Sequence, residues 1–108
     1  MQTKFNINPN IDEAETLCSE FYQNDNFFIE SKEKIFASSW QLIMDVHSLK
    51  KMNVFPFSFL QGYLDEPLVI IKDGNKIDCF SNVCTHRAHI IANKPCKSKL
   101  LLCPYHGR

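Results

Sequence analysis

The sequence predicts a mostly β fold, a small antiparallel β-sandwich carried behind an N-terminal helical extension. Three observations lead there. Leu68–Lys72 and Lys76–Phe80 are rich in β-favouring residues and flank Asp73-Gly74-Asn75, the turn chemistry of a hairpin. Residues 12–37 instead space their apolar side chains as helices do. At 108 residues the chain suffices for one domain with a modest core.

The elements follow in order. Asp12–Tyr22 places Ala14, Leu17, Cys18 and Phe21 at helical spacing, with Asp12, Glu13 and Glu15 in the first turn, where the helix dipole favours acids. Asn24-Asp25-Asn26 breaks that pattern. Ser31, followed by Glu33, Lys34 and Ile35-Phe36-Ala37, predicts a second short helix with Ser31 as its cap. From Trp40 the character changes. Trp40–Val46 predicts a strand, and Val54–Leu64 a second, with Pro56 confining it to an edge. After the hairpin, Ser81-Asn82-Val83 leads into one loop, and Leu100-Leu101-Leu102 predicts a short buried strand entering another. The expected division is an extension over 1–38 and a β domain over 39–108.

Twelve Lys plus Arg balance twelve Asp plus Glu, so nothing in the charge suggests nucleic acid or an anionic membrane as partner. The first ten residues carry no apolar signal core, and no run approaches eighteen apolar residues. A cytoplasmic protein is expected, with no membrane partner and its thiols reduced. Of the five cysteines, Cys18, Cys79 and Cys96 have no partner at ligand spacing and read as packed or surface residues. His47 likewise reads as a surface residue.

The remaining two cysteines carry the chemistry. Cys84-Thr85-His86 is C-x-H, and Cys103-Pro104-Tyr105-His106-Gly107-Arg108 is C-x-x-H. Each pair is short enough to sit on one loop. Two thiolates suit a ferric iron, and two neutral imidazoles suit the iron that changes oxidation state. That is the donor set of a Rieske [2Fe–2S] centre. Imidazole ligands leave the cluster less negative, which raises its potential to roughly −150 to +300 mV from about −400 mV in plant-type ferredoxins. Pro104 fixes φ at the start of its turn, and Gly107 is expected to let backbone N–H groups reach the cluster sulfurs. A structural zinc is the competing reading of two Cys and two His. Zinc motifs pair like with like, and the alternating order here fits that template poorly.

Cys84-Thr85-His86-Arg87 and Cys103-Pro104-Tyr105-His106-Gly107-Arg108 resemble the N-terminal Rieske domain of ring-hydroxylating oxygenase α subunits, a family with choline-monooxygenase-like and carnitine-oxygenase-like branches. Ile35–Leu42, Glu66–Ile70 and Phe80–Val83 are similar to its first strand and hairpin, so the likeness runs from about Phe28 to the end. It implies a [2Fe–2S] cluster held by Cys84, His86, Cys103 and His106. In the high-potential subtype the positions of His89 and Tyr105 hold a disulfide, and that of Arg108 a serine. Their replacement here implies the low-potential oxygenase or ferredoxin type. Ala88 departs from the family's usual glycine, and His89 reads as a spare loop histidine.

The resemblance implies an oxidoreductase acting with O₂. Electrons would enter from a reductase or ferredoxin and pass to a mononuclear Fe(II), held by two histidines and a carboxylate in a further domain, within a trimer of α subunits. That domain does not fit in 108 residues, so the chain is expected to be an N-terminal fragment with its Rieske domain cut at the C-terminal end. No catalytic residue is expected within it. A stand-alone Rieske-type ferredoxin, a carrier without catalysis, is the other reading.

Overall fold

The computed structural model describes residues 5–107. It divides into two units, Met1–Gln41 and Leu42–Arg108.

The first unit is helical, but its helices are displaced from the expected positions. The acidic stretch from Asp12 forms turns, and helix α1 spans only Ser19–Gln23. Helix α2 covers Asp25–Ser31. Asn24, expected as a breaker, is its N-cap, accepting a hydrogen bond from the Asn26 N–H at 2.9 Å. An Asn at this position satisfies an orphan helical donor that Ser31, seven residues on, would leave unmet. Beyond Ser31 the chain widens into a π-helical turn over Lys32–Phe36, closed by Ala37 N–H to the Lys32 carbonyl at 2.8 Å. Phe5, Phe21 and Phe27 pack edge-on or stacked, with ring centroids 5.1 to 6.0 Å apart, and form a half-buried aromatic cluster in this unit.

The second unit is the β fold the sequence predicts. Strands β1 (Val54–Phe59), β2 (Glu66–Asp73) and β3 (Lys76–Ser81) form one antiparallel sheet in the order β1-β2-β3. Gly74 and Asn75 make the two-residue turn between β2 and β3, with Gly74 at φ +57° supplying the conformation the turn requires. Pro56 lies opposite Val69 on β1, an edge strand, where a missing N–H interrupts no second ladder. One face of the sheet is covered. Val54, Val69 and Ala92 form its buried centre, with Ile71, Cys96 and Leu101 packed against them.

Two expected strands are absent. Trp40–Val46 is irregular, with Trp40 and Leu42 almost fully exposed, and leads into a 3-10 turn over Val46–Lys50 that buries Leu49. Leu100–Leu102 is also without a ladder, and its outer two side chains are exposed. Both runs have β-favouring composition, but strand formation requires a neighbouring backbone, and neither run has one among the described residues.

Candidate metal centre

The first ligand loop begins where β3 ends. Val83 and Ile90 form an isolated antiparallel bridge, and around it Cys84 N–H reaches the His89 carbonyl at 2.8 Å and Ile91 N–H the Asn82 carbonyl at 3.0 Å. Residues 84–89 are therefore the tip of a miniature hairpin. Behind them stands Asn82, buried and fully satisfied. Its amide donates to the Ala92 carbonyl at 2.7 Å and its carbonyl oxygen accepts from the Ala92 N–H at 2.8 Å. The side chain thus imitates a β-ladder partner, pinning the outgoing chain to the incoming one.

A second asparagine repeats the device for the other loop. Asn53 donates to the carbonyls of Lys72 and Ser98, and accepts from the Ser98 N–H at 2.9 Å. Beside it Val54 and Cys96 exchange backbone bonds of 3.0 and 3.1 Å. These contacts anchor the irregular segment that runs from Cys96 through Leu101 into Cys103. Neither asparagine belongs to a ligand motif. The available signal was an Asn at the boundary of a strand, where its self-complementary amide can replace a backbone partner.

Both loops turn in the same way. Ala88 N–H bonds to the Cys84 carbonyl at 2.9 Å, and Gly107 N–H to the Cys103 carbonyl at 2.9 Å. Both donors have left-handed backbone, at φ +52° for Ala88 and +71° for Gly107. Gly107 therefore has a local role in closing its own turn. Its N–H serves its own loop, and a Cβ placed there would meet no protein atom within 4 Å. The dihedral angle favours glycine here.

The four residues singled out by spacing separate by chemistry. Cys84 and Cys103 are buried, at 9% and 2% exposure, while His86 and His106 are exposed at the loop tips. The two imidazoles are brought face to edge, their centroids 5.0 Å apart and their planes 66° apart. A metal-bound imidazole nitrogen stands about 2.1 Å from its ion, so two rings at tetrahedral positions would have centroids about 5 Å apart. The separation of the two rings is compatible with both meeting one ion. Among the described residues no group of three or more His, Cys, Asp or Glu is arranged to hold a single ion. A two-iron cluster takes only two protein ligands per iron, a number that two buried thiols and two exposed imidazoles could supply.

The other sequence-marked residues fall elsewhere. Cys18 and Cys79 are exposed, and burial of part of the Cys79 thiol raises its pKa, making it a weaker thiolate. Cys96 is half-buried beside the core. His47 is exposed, with Nδ1 3.1 Å from the Asp45 carboxylate. Arg108 lies outside the described residues. His89 and Tyr105, the positions of the high-potential disulfide, stack ring on ring.

Known proteins resemble this chain over most of its length. It is 34% identical over 97 residues to the choline monooxygenase of Spinacia oleracea, covering 89% of this chain but 21% of that protein. The carnitine monooxygenase oxygenase subunit of Escherichia coli K12 is 33% identical over 104 residues, covering 94% and 27%. The Arabidopsis thaliana choline monooxygenase is 30% identical over 107 residues, covering 97% and 24%. The chain thus spans about a quarter of the length of these relatives. No solved structure matches it significantly. Among the described residues no helix is long and apolar enough to cross a membrane. The model of the Rieske [2Fe-2S] domain matches residues 39–108, the stretch that contains the sheet, both asparagine brackets and both loops, and on that match the chain belongs to the Rieske [2Fe–2S] domain family.

Proposed function

We propose that the chain holds a Rieske-type [2Fe–2S] cluster, with Cys84 and Cys103 as ligands to one iron and His86 and His106 to the other. The observation that carries this is the division of the donors, cysteines buried and imidazoles exposed with their rings 5.0 Å apart. When bound, such a cluster accepts and releases single electrons. The chain's own part is electrostatic and positional. Burial keeps water from the thiolates, and the neutral imidazoles limit the negative charge gathered at the site. Exposure of His86 and His106 leaves each ring a nitrogen that can donate to a carboxylate of a partner.

The role we infer is electron entry to an oxygenase, from a reductase or ferredoxin to a mononuclear Fe(II) outside these residues. The relatives support it, being monooxygenases of choline and carnitine. They favour monooxygenation of a quaternary-ammonium substrate over dioxygenation of an aromatic ring. Assembly as a trimer of like subunits and a cytoplasmic location belong to the same proposal.

The test is anaerobic reconstitution of the full chain with iron and sulfide. The expected result is two irons and two sulfides per chain and a Rieske-type EPR spectrum on reduction, lost in Cys84→Ser. A colourless protein binding one zinc per chain would overturn the reading.

A further inference from the structure

Four rings form a continuous series across the two ligand loops. His89 stacks on Tyr105 with centroids 5.6 Å apart and planes at 30°. Tyr105 lies against His106, its chain neighbour, at 4.1 Å and 48°. His106 then meets His86 at 5.0 Å. His86 and His89 belong to the first loop, Tyr105 and His106 to the second. The loops therefore touch through rings at two places, one at the proposed ligands and one three residues further along.

The second contact has no ligand role to explain it. The backbone bonds to Cys84 and Cys103 described above close each loop on itself, so they fix each loop's shape without aligning one loop to the other. His89 and Tyr105 are both exposed, so general burial does not hold them together either. Offset and tilted ring contacts at these separations are attractive beyond the area they cover. Tyr105 is also the one ring that touches both a non-ligand of the first loop and a proposed ligand of its own.

We propose that His89 and Tyr105 form a noncovalent clasp between the two ligand loops, and that Tyr105 acts as a positioning residue for the His106 ring. The inference rests on the cluster reading for its consequence, since His106 is the residue positioned. The clasp works by contact of ring faces. It restricts rotation of Tyr105, and Tyr105 in turn limits the orientations open to the imidazole 4.1 Å away.

The test uses the full reconstituted chain and the variants Tyr105→Leu, Tyr105→Phe, His89→Ala, His89→Phe and the double variant His89→Ala/Tyr105→Leu. Tyr105→Leu and His89→Ala are expected to shift the midpoint potential and broaden the EPR lines at full cluster occupancy. The Phe variants, which keep a ring, should restore both. In a double-mutant cycle on unfolding, residues 89 and 105 should couple by about two- to twelvefold in the folding equilibrium. Wild-type potential and lines in the ring-deleted variants, or additive unfolding effects, would overturn the clasp. Should Tyr105→Leu not fold, His89→Ala with its His89→Phe rescue decides the matter on an exposed side chain. A wild-type chain without a Rieske spectrum would defeat the cluster reading instead, and the cycle on the metal-free chain would then judge the clasp alone.

Discussion

Ala88 and Gly107 are counterparts. Each stands four residues after a cysteine of the signature, each donates its N–H to that cysteine's carbonyl at 2.9 Å, and each does so from left-handed backbone. The two loops differ in sequence and in where the histidine falls, yet close with the same turn. Only one of them places a glycine where the turn favours it.

Ala88→Gly should therefore stabilise the protein. An alanine in left-handed backbone costs roughly 1–2 kcal/mol, and the greater freedom of glycine in the unfolded chain offsets about 0.5–1 kcal/mol of the relief. A net gain of about 0.5–1 kcal/mol in urea unfolding is expected, with cluster spectra unchanged. In the metal-free chain Gly107→Ala should cost about 1–2 kcal/mol, since a Cβ there meets no protein atom and only the dihedral angle opposes it. A loss well above about 2 kcal/mol would point to a contact the turn geometry does not supply.

Asn82→Ala should be among the costlier single changes in the second unit. It leaves the N–H and carbonyl of Ala92 without their partners at a buried position. Each stranded group costs about 1–3 kcal/mol, so a loss of about 2–6 kcal/mol is expected in chemical unfolding. Hydrogen exchange should accelerate at Ala92 and Ile91 before it does so in the centre of β2.

Thiol labelling should divide the cysteines. In the native chain an alkylating reagent is expected to modify the exposed Cys18 and Cys79, with Cys79 reacting faster as pH rises through its raised thiol pKa. Cys84 and Cys103 should stay protected. Stripping iron with a chelator in mild denaturant should open both to modification together, read by mass spectrometry of the peptides. Their labelling at unequal rates would argue against shared coordination.

His86→Cys tests the electrostatic argument. Replacing a neutral imidazole by a thiolate adds one negative charge to the site, so a cluster that still forms should be harder to reduce. The midpoint potential is expected to fall toward roughly −400 mV. An unchanged potential would mean that His86 is not a ligand.

What could be read before folding was what is encoded locally. Asp73-Gly74-Asn75 fixes its own hairpin, and the alternation of Cys and His within a few residues names its chemistry. The displaced helices and missing strands failed for a common reason. Asn24 became a cap because a free helical N–H lay within its reach, and Leu100–Leu102 formed no strand because no backbone lay alongside. Composition reports what a segment tolerates, while partners decide what it becomes. Asn53 and Asn82 were silent in the sequence because their partners, Ser98 and Ala92, lie 45 and 10 residues away.

Those two separations also set an order of assembly. The bracket at Asn82 closes over 10 residues, so the loop bearing Cys84 and His86 can form soon after β3 pairs. The bracket at Asn53 spans 45 residues, and for closure from the unfolded chain its entropy cost is about 1.3 kcal/mol greater. The half-site of Cys103 and His106 is therefore the slower to arrive. Iron presented early would meet one thiolate and one imidazole on a finished loop, with the second pair still searching, and productive loading waits on the longer closure.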